Sequence, residues 1–199
     1  MVVYTVGHST LPLDDFLSLL DAHAIAGIAD VRSFPASRRH PHFAREALAA
    51  TLARVGLEYA WLPGLGGRRR GGAGSPHVAW RSPSFRAYAD HMETAEFAAE
   101  LARLLALAAA RPTAVMCAEA VPWRCHSQLV ADALLARGIE VRHMISAAPP
   151  EPSPTGGRQA SPTRASPKSP STSSRCARCT SSWTSGSPTS CASGRRARR

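Results

Sequence analysis

Between residues 117 and 126 the chain carries two cysteines, a carboxylate, an arginine and a histidine: Cys117, Glu119, Arg124, Cys125 and His126. A thiol beside an arginine and a helix N-terminus ionises more readily than a free one, so Cys117 is expected to have a lowered pKa and to serve as nucleophile or ligand. Glu119 and His126 supply acid–base groups, and the guanidinium of Arg124 suits an anion. Sulfur or phosphoryl transfer is the chemistry such a set suggests. The phosphatase template fits poorly, because Cys117 to Arg124 is one residue longer than the Cys-x5-Arg loop and Glu119 would repel a phosphate. With His8 the set holds enough donors for zinc. Its spacing matches no standard zinc pattern, and the metal-free reading is preferred.

Plainer uses stand beside these. Cys117 and Cys125 read equally as small buried packing residues, Glu119 as a charge favoured by a helix dipole, and His126 as a cap, a base for either thiol, or a ligand. Two further segments carry candidates. In Gly7-His8-Ser9-Thr10, His8 is a catalytic candidate, while Ser9 either contacts substrate or caps the next helix. In Asp30-Val31-Arg32-Ser33, Asp30 and Arg32 form either a strand-end salt bridge or a substrate clamp. Arg38, in Ser37-Arg38-Arg39-His40, adds a substrate-binding cation, and Arg68-Arg69-Arg70 is a second basic run. Such runs usually form solvated faces. With Trp61 and Trp80 nearby they would also suit a small anionic ligand, a nucleotide or, with weaker support, single-stranded nucleic acid.

The elements that must position these residues follow from periodicity. Val2-Val3-Tyr4-Thr5-Val6, Ile25–Val31, Leu57–Leu62, Thr113–Cys117 and Ile139–Ile145 read as strands. Between them lie helical stripes: Leu13, Phe16, Leu17 and Leu20, then Leu48, Leu52 and Val55. Phe97, Leu101, Leu104 and Leu105 follow behind a Thr94 cap, then Val130, Ala133 and Leu134. Residues 63–83 form a loop too long to be mere connection. This alternation predicts a three-layer α/β domain, Rossmann-like, with a mainly parallel sheet of about five strands. Residues 7–10, 30–33 and 117–126 all follow strands, so they converge on the carboxyl edge, where ligands bind in such sheets.

Composition separates residues 1–148, the α/β domain, from a basic low-complexity tail, 149–199. Residues 1–150 hold 15 Arg and no Lys against 13 Asp and Glu, whereas 151–199 hold 9 Lys and Arg against one Glu. Most of the net +10 therefore belongs to the tail. The tail lacks Val, Ile, Leu, Met, Phe and Tyr, and cannot bury enough apolar surface to offset the entropy of folding. It is expected to be disordered, and its composition favours out-of-frame translation of GC-rich sequence. Its Cys176-Ala177-Arg178-Cys179 pair offers at most two metal ligands. No membrane span and no secretory signal is visible, and the domain's two cysteines lack disulfide-framework spacing; the expectation is a cytoplasmic protein.

At the same residues the chain resembles a bacterial family catalogued as domain of unknown function 488. The matching pieces include Thr5-Val6-Gly7-His8-Ser9, Asp30-Val31-Arg32-Ser33-Phe34-Pro35-Ala36-Ser37-Arg38 and Leu62-Pro63-Gly64-Leu65-Gly66-Gly67. Trp80-Arg81, Phe85-Arg86-Ala87-Tyr88, Met116-Cys117-Ala118-Glu119 and Arg124-Cys125-His126 match as well. The resemblance covers residues 1–146, implies an α/β fold and brings no established activity. Two departures are Ser127, where the family pattern has arginine, and the end, where Glu151-Pro152-Ser153-Pro154 starts a hairpin-like segment that dissolves into low complexity.

Overall fold

The two-residue period of Thr113–Cys117 (β4), buried at every position, sets the plan of the molecule. Ala114 and Met116 pack against one helical layer and Val115 and Cys117 against the other, because successive strand side chains point to opposite faces. The computed structural model describes residues 1–153 apart from 37–38, 72–73 and 147. The tail's CxxC pair and the disorder expected of the tail thus lie outside the described residues.

Strands β1 (Val2–Gly7), β2 (Gly27–Asp30), β3 (Glu58–Trp61), β4, β5 (Glu140–Met144) and β6 (Glu151–Pro152) form one sheet in the order β3-β2-β4-β1-β5-β6. The first five run parallel and β6 pairs antiparallel with β5. The fold is thus three-layer α/β with a mostly parallel sheet, as the sequence predicts. The sixth strand is an addition: the Ser153 N–H donates to the Val141 carbonyl at 2.9 Å, carrying the fold past residue 148. The strand order differs from both common doubly wound orders, because β4 lies between β1 and β2.

Helices α1 (Leu13–Ala22) and α2 (Arg45–Arg54) cover one face through Phe16, Leu20, Leu48 and Leu52. On the other face lie α3 (Pro83–Met92), α4 (Ala95–Ala110) and α5 (Ser127–Leu135), which bury Tyr88, Phe97, Leu101, Leu104 and Leu129. The Thr94 side chain caps α4 by accepting the Phe97 N–H, as its position suggests. Helix α3 is not visible in the apolar pattern, since its buried face consists of Ala87, Tyr88, Ala89 and His91 rather than a Leu stripe. Neither Ser9 nor Thr10 caps α1; Pro12 is the N-cap residue and no side chain bonds there.

Strands β1 and β2, which flank β4, lead into the α1/α2 layer, whereas β4 leads into α5 on the opposite face. Diverging connections of this kind open a crevice at the carboxyl ends of the strands. Register continues beyond the strands: the His8 N–H donates to the Cys117 carbonyl (3.0 Å) and the Ser9 N–H to the Ala118 carbonyl (2.9 Å). Gly7 makes this possible, because a β-carbon there would overlap the backbone of Glu119 and approach Ala120. Gly7→Ala is therefore expected to lower stability by at least about 2 kcal/mol, in the range of overpacking against an unyielding neighbour. Urea denaturation tests this, and an unchanged midpoint would show that the approach is not required.

Candidate functional site

Beyond the end of β4 the chain crosses over Gly7, makes a short 3-10 turn at Pro122–Arg124, and enters α5 at Ser127. This path borders a cleft of about 650 Å³. Cys117, Cys125 and His126 lie at its inner wall, with Cys117 5% and Cys125 3% exposed, while Glu119, Arg68 and Arg124 are exposed around it. The segments after β1, β2 and β4 do converge on one edge. Only part of the candidate set meets at the cleft.

The two free sulfurs lie 2.6 Å apart, and His126 Nδ1 is 3.4 Å from Cys125 Sγ and 3.9 Å from Cys117 Sγ. His126 Nε2 donates to the Val31 carbonyl at 3.2 Å, which leaves Nδ1 as the nitrogen that accepts a proton from a thiol. Two thiols this close share one proton between them. Cys125 becomes the thiolate and its pKa falls to about 4: the Cys117 S–H donates to it, and His126 and Ser127 add further hydrogen bonds. Cys117 is pushed up, first by serving as that donor and then by burial. This reverses the sequence expectation, which gave the lowered pKa to Cys117. The physical reason is hydrogen bonding: Cys125 accepts from Cys117 and lies 3.4 Å from His126 Nδ1, whereas Cys117 lies 3.9 Å from it and serves as the donor.

Among the described residues, Cys117, Cys125 and His126 are the one group of donors close enough to share a metal ion, all within 4.8 Å of one another. The wider zinc set does not assemble, because Glu119 and His8 lie outside this group. Two sulfurs each about 2.3 Å from a tetrahedral zinc would also stand about 3.8 Å apart, well beyond the separation here.

His8, Asp30 and Arg32 form a buried network beside the cleft. Asp30 is fully buried and accepts from the Arg32 backbone N–H (3.0 Å), Arg32 Nε (2.8 Å), Arg32 Nη2 (2.6 Å) and the Tyr59 hydroxyl (2.6 Å). Arg32 Nη1 donates to the Phe43 carbonyl (2.9 Å) and to His8 Nε2 (3.2 Å). Trp61 Nε1 donates to the Arg32 carbonyl at 3.0 Å. Arg32 borders the cleft, but its fork is occupied by these partners, so its charge is spent on Asp30. His8 stacks on Phe43 with ring centroids 4.2 Å apart and donates from Nδ1 to the Ser9 carbonyl. His8, Ser9 and Asp30 are not among the residues that line the cleft. Arg38 lies outside the described residues.

The glycine-rich loop after β3 contributes more than the sequence reading assigned to it. Gly67 packs so closely on the His126 ring that a β-carbon would overlap Nδ1, and Tyr88 lies across the same ring at 5.4 Å. The Tyr88 hydroxyl donates to the Leu65 carbonyl at 2.8 Å. Arg69 is a strut rather than a solvated charge, donating to the carbonyls of Pro63, Gly64 and Gly66. Phe34 and Phe85 line the cleft, and the expected Trp61 and Trp80 do not. These roles depend on residues far apart in sequence, and only the unexplained density of glycine in Leu62–Gly67 hinted at them.

Burial, and then the Arg32 charge, lowers the His8 pKa from 6.5 to about 4. Unfolded chains therefore take up a proton at His8 before folded ones do as pH falls. Stability from this group is complete above about pH 6.5 and is lost between 6.5 and 4, a change on the order of 2 kcal/mol. Urea midpoints measured across this range should fall more steeply for the wild type than for His8→Gln; parallel profiles would remove the buried neutral histidine.

A family model described as Domain of unknown function DUF488 matches residues 12–134. No match is found among curated proteins or among solved structures. The match spans β2 to β4, the glycine-rich loop and the Cys117–His126 segment, so the chain belongs to the DUF488 family.

Proposed function

We propose that this protein is a thiol-dependent enzyme in which Cys125 attacks an anionic substrate, His126 takes the thiol proton, and Arg124 and Arg68 hold the substrate's negative charge. The observation that carries this reading is the meeting of two thiols and an imidazole at the wall of a cleft bordered by two exposed arginines. The Val31 carbonyl fixes the His126 tautomer with Nδ1 toward Cys125, the orientation a general base needs. Cys117 stabilises the thiolate by donating its S–H. Glu119, exposed beside the cleft, is the group available to exchange a proton with a leaving group. Arg32, neutralised by Asp30, acts as a positioning residue that ties Phe43 to His8 at the end of β1.

Alkylation followed by peptide mapping tests the proposal. Cys125 should react with iodoacetamide with a midpoint below about pH 6, against about 8.5 for a free thiol. Anionic iodoacetate should lose about tenfold in rate in Arg124→Gln while neutral iodoacetamide does not, as expected from removing one steering charge. A Cys125 midpoint at or above the free-thiol value would eliminate the nucleophile. Anion affinity that survives together with that result would mark a non-catalytic binding module.

A further inference from the structure

An enzyme that only transfers an acyl or phosphoryl group needs one thiolate. Here a second thiol, on a different element, lies 2.6 Å from the first, within about 0.6 Å of the 2.05 Å length of a disulfide bond. Cys117 ends β4 and Cys125 follows the Pro122–Arg124 turn, so the two sulfurs are brought together by the fold and not by a CxxC turn. Both line the same cleft, which lets a substrate reach either sulfur. The acid–base side chain that bonds to the pair is His126, with Nδ1 3.4 Å from Cys125 Sγ and 3.9 Å from Cys117 Sγ. Two thiols in contact, one imidazole beside them and a cleft that reaches both are the parts of a dithiol–disulfide couple.

Resting on the reading of Cys125 as nucleophile, we infer that Cys125 and Cys117 form a redox pair that reduces a small anionic disulfide, with Cys125 attacking and Cys117 resolving. In the first step the Cys125 sulfur bonds to one sulfur of the substrate. The substrate S–S bond breaks, and the departing thiolate takes the proton held on His126 Nδ1. In the second step the Cys117 sulfur attacks Cys125 Sγ, the mixed disulfide breaks, and the second product leaves with the Cys117 proton. The substrate gains two electrons and two protons and becomes two thiols, and the protein pair is oxidised to a disulfide. A small cellular thiol in excess returns the pair to the reduced state by the reverse exchange.

Arg68 and Arg124 restrict the substrate class. Exposed on the cleft, they favour disulfides that carry carboxylates and disfavour cationic ones. The low thiolate pKa of Cys125 makes it a good leaving group as well, so the protein disulfide is readily reduced again.

The probe is glutathione disulfide added to the reduced full-length protein, with tryptic mapping under non-reducing conditions. Trypsin cuts after Arg124, which separates Cys117 from Cys125, and the tail cysteines fall on other peptides. The wild type should yield a linked pair of peptides carrying Cys117 and Cys125 and release about two equivalents of thiol from that pair. Cys117→Ser should stop after about one, with glutathione held on Cys125, and Cys125→Ser should leave Cys117 unmodified. Cystamine, a cationic disulfide, should react at least about tenfold more slowly. Absence of the linked pair while Cys125 still alkylates at acid pH would overturn this inference and leave the thiolate enzyme standing. Equal rates with cystamine would overturn the anionic substrate class. A Cys125 that alkylates only like a free thiol would overturn both.

Discussion

The candidate site depends on one close approach. Where β1 ends, Gly7 lets the chain beyond β4 run directly over it, with the backbones of His8 and Ser9 bonded to Cys117 and Ala118. Parallel pairing thus continues past the formal end of both strands. Any side chain at position 7 would lift the 118–120 segment, and with it the turn that returns Cys125 to Cys117. Sheet register at the centre of the molecule and sulfur separation at its edge are therefore the same constraint seen at two places.

A second constraint holds the opposite wall. Burying the Asp30 carboxylate carries a large desolvation penalty, and its removal would leave Arg32 buried without a counter-charge. Four hydrogen bonds donated to Asp30 offset that penalty, and the remaining Arg32 nitrogen, Nη1, holds Phe43 and His8. The arrangement separates two kinds of arginine. Arg32 is neutralised inside the wall, whereas Arg68 and Arg124 keep their charges exposed on the cleft, where an anion meets them. His126 is fixed between the two walls, with Val31 on one side and Gly67 on the other.

Sequence periodicity was a good guide to the elements with a Leu-rich or β-branched stripe. It placed β4 at Thr113–Cys117 and put the Thr94 cap at the start of α4. It missed α3, whose buried face is built from Ala87, Tyr88 and His91, because polar aromatic residues carry no periodic hydrophobic signal. Within the site, the types and spacing of Cys117, Glu119, Arg124, Cys125 and His126 singled out a segment that the fold brings to the cleft. They assigned the lowered pKa to the wrong sulfur. Which of two thiols donates to the other, and which lies nearer the imidazole, is a matter of distances that the order of residues does not state. Asp30 and Arg32 illustrate a related limit: two residues apart, they were open to either a salt bridge or a substrate clamp, and the choice depended on Tyr59, Phe43 and His8 from three other segments.

By itself, then, the sequence determined the layered α/β fold, the strand from which the cysteines emerge and the edge on which the polar segments gather. These follow from periods of two and 3.6 residues, which any stretch of chain expresses locally. Tertiary structure alone decided the insertion of β4 between β1 and β2, the sixth strand, the closure of Cys125 onto Cys117 and the placing of His126 against Gly67. Each of those requires residues distant in sequence to be within a few ångströms of one another. A proton shared between two sulfurs has no counterpart in the chain until folding sets the distance between them.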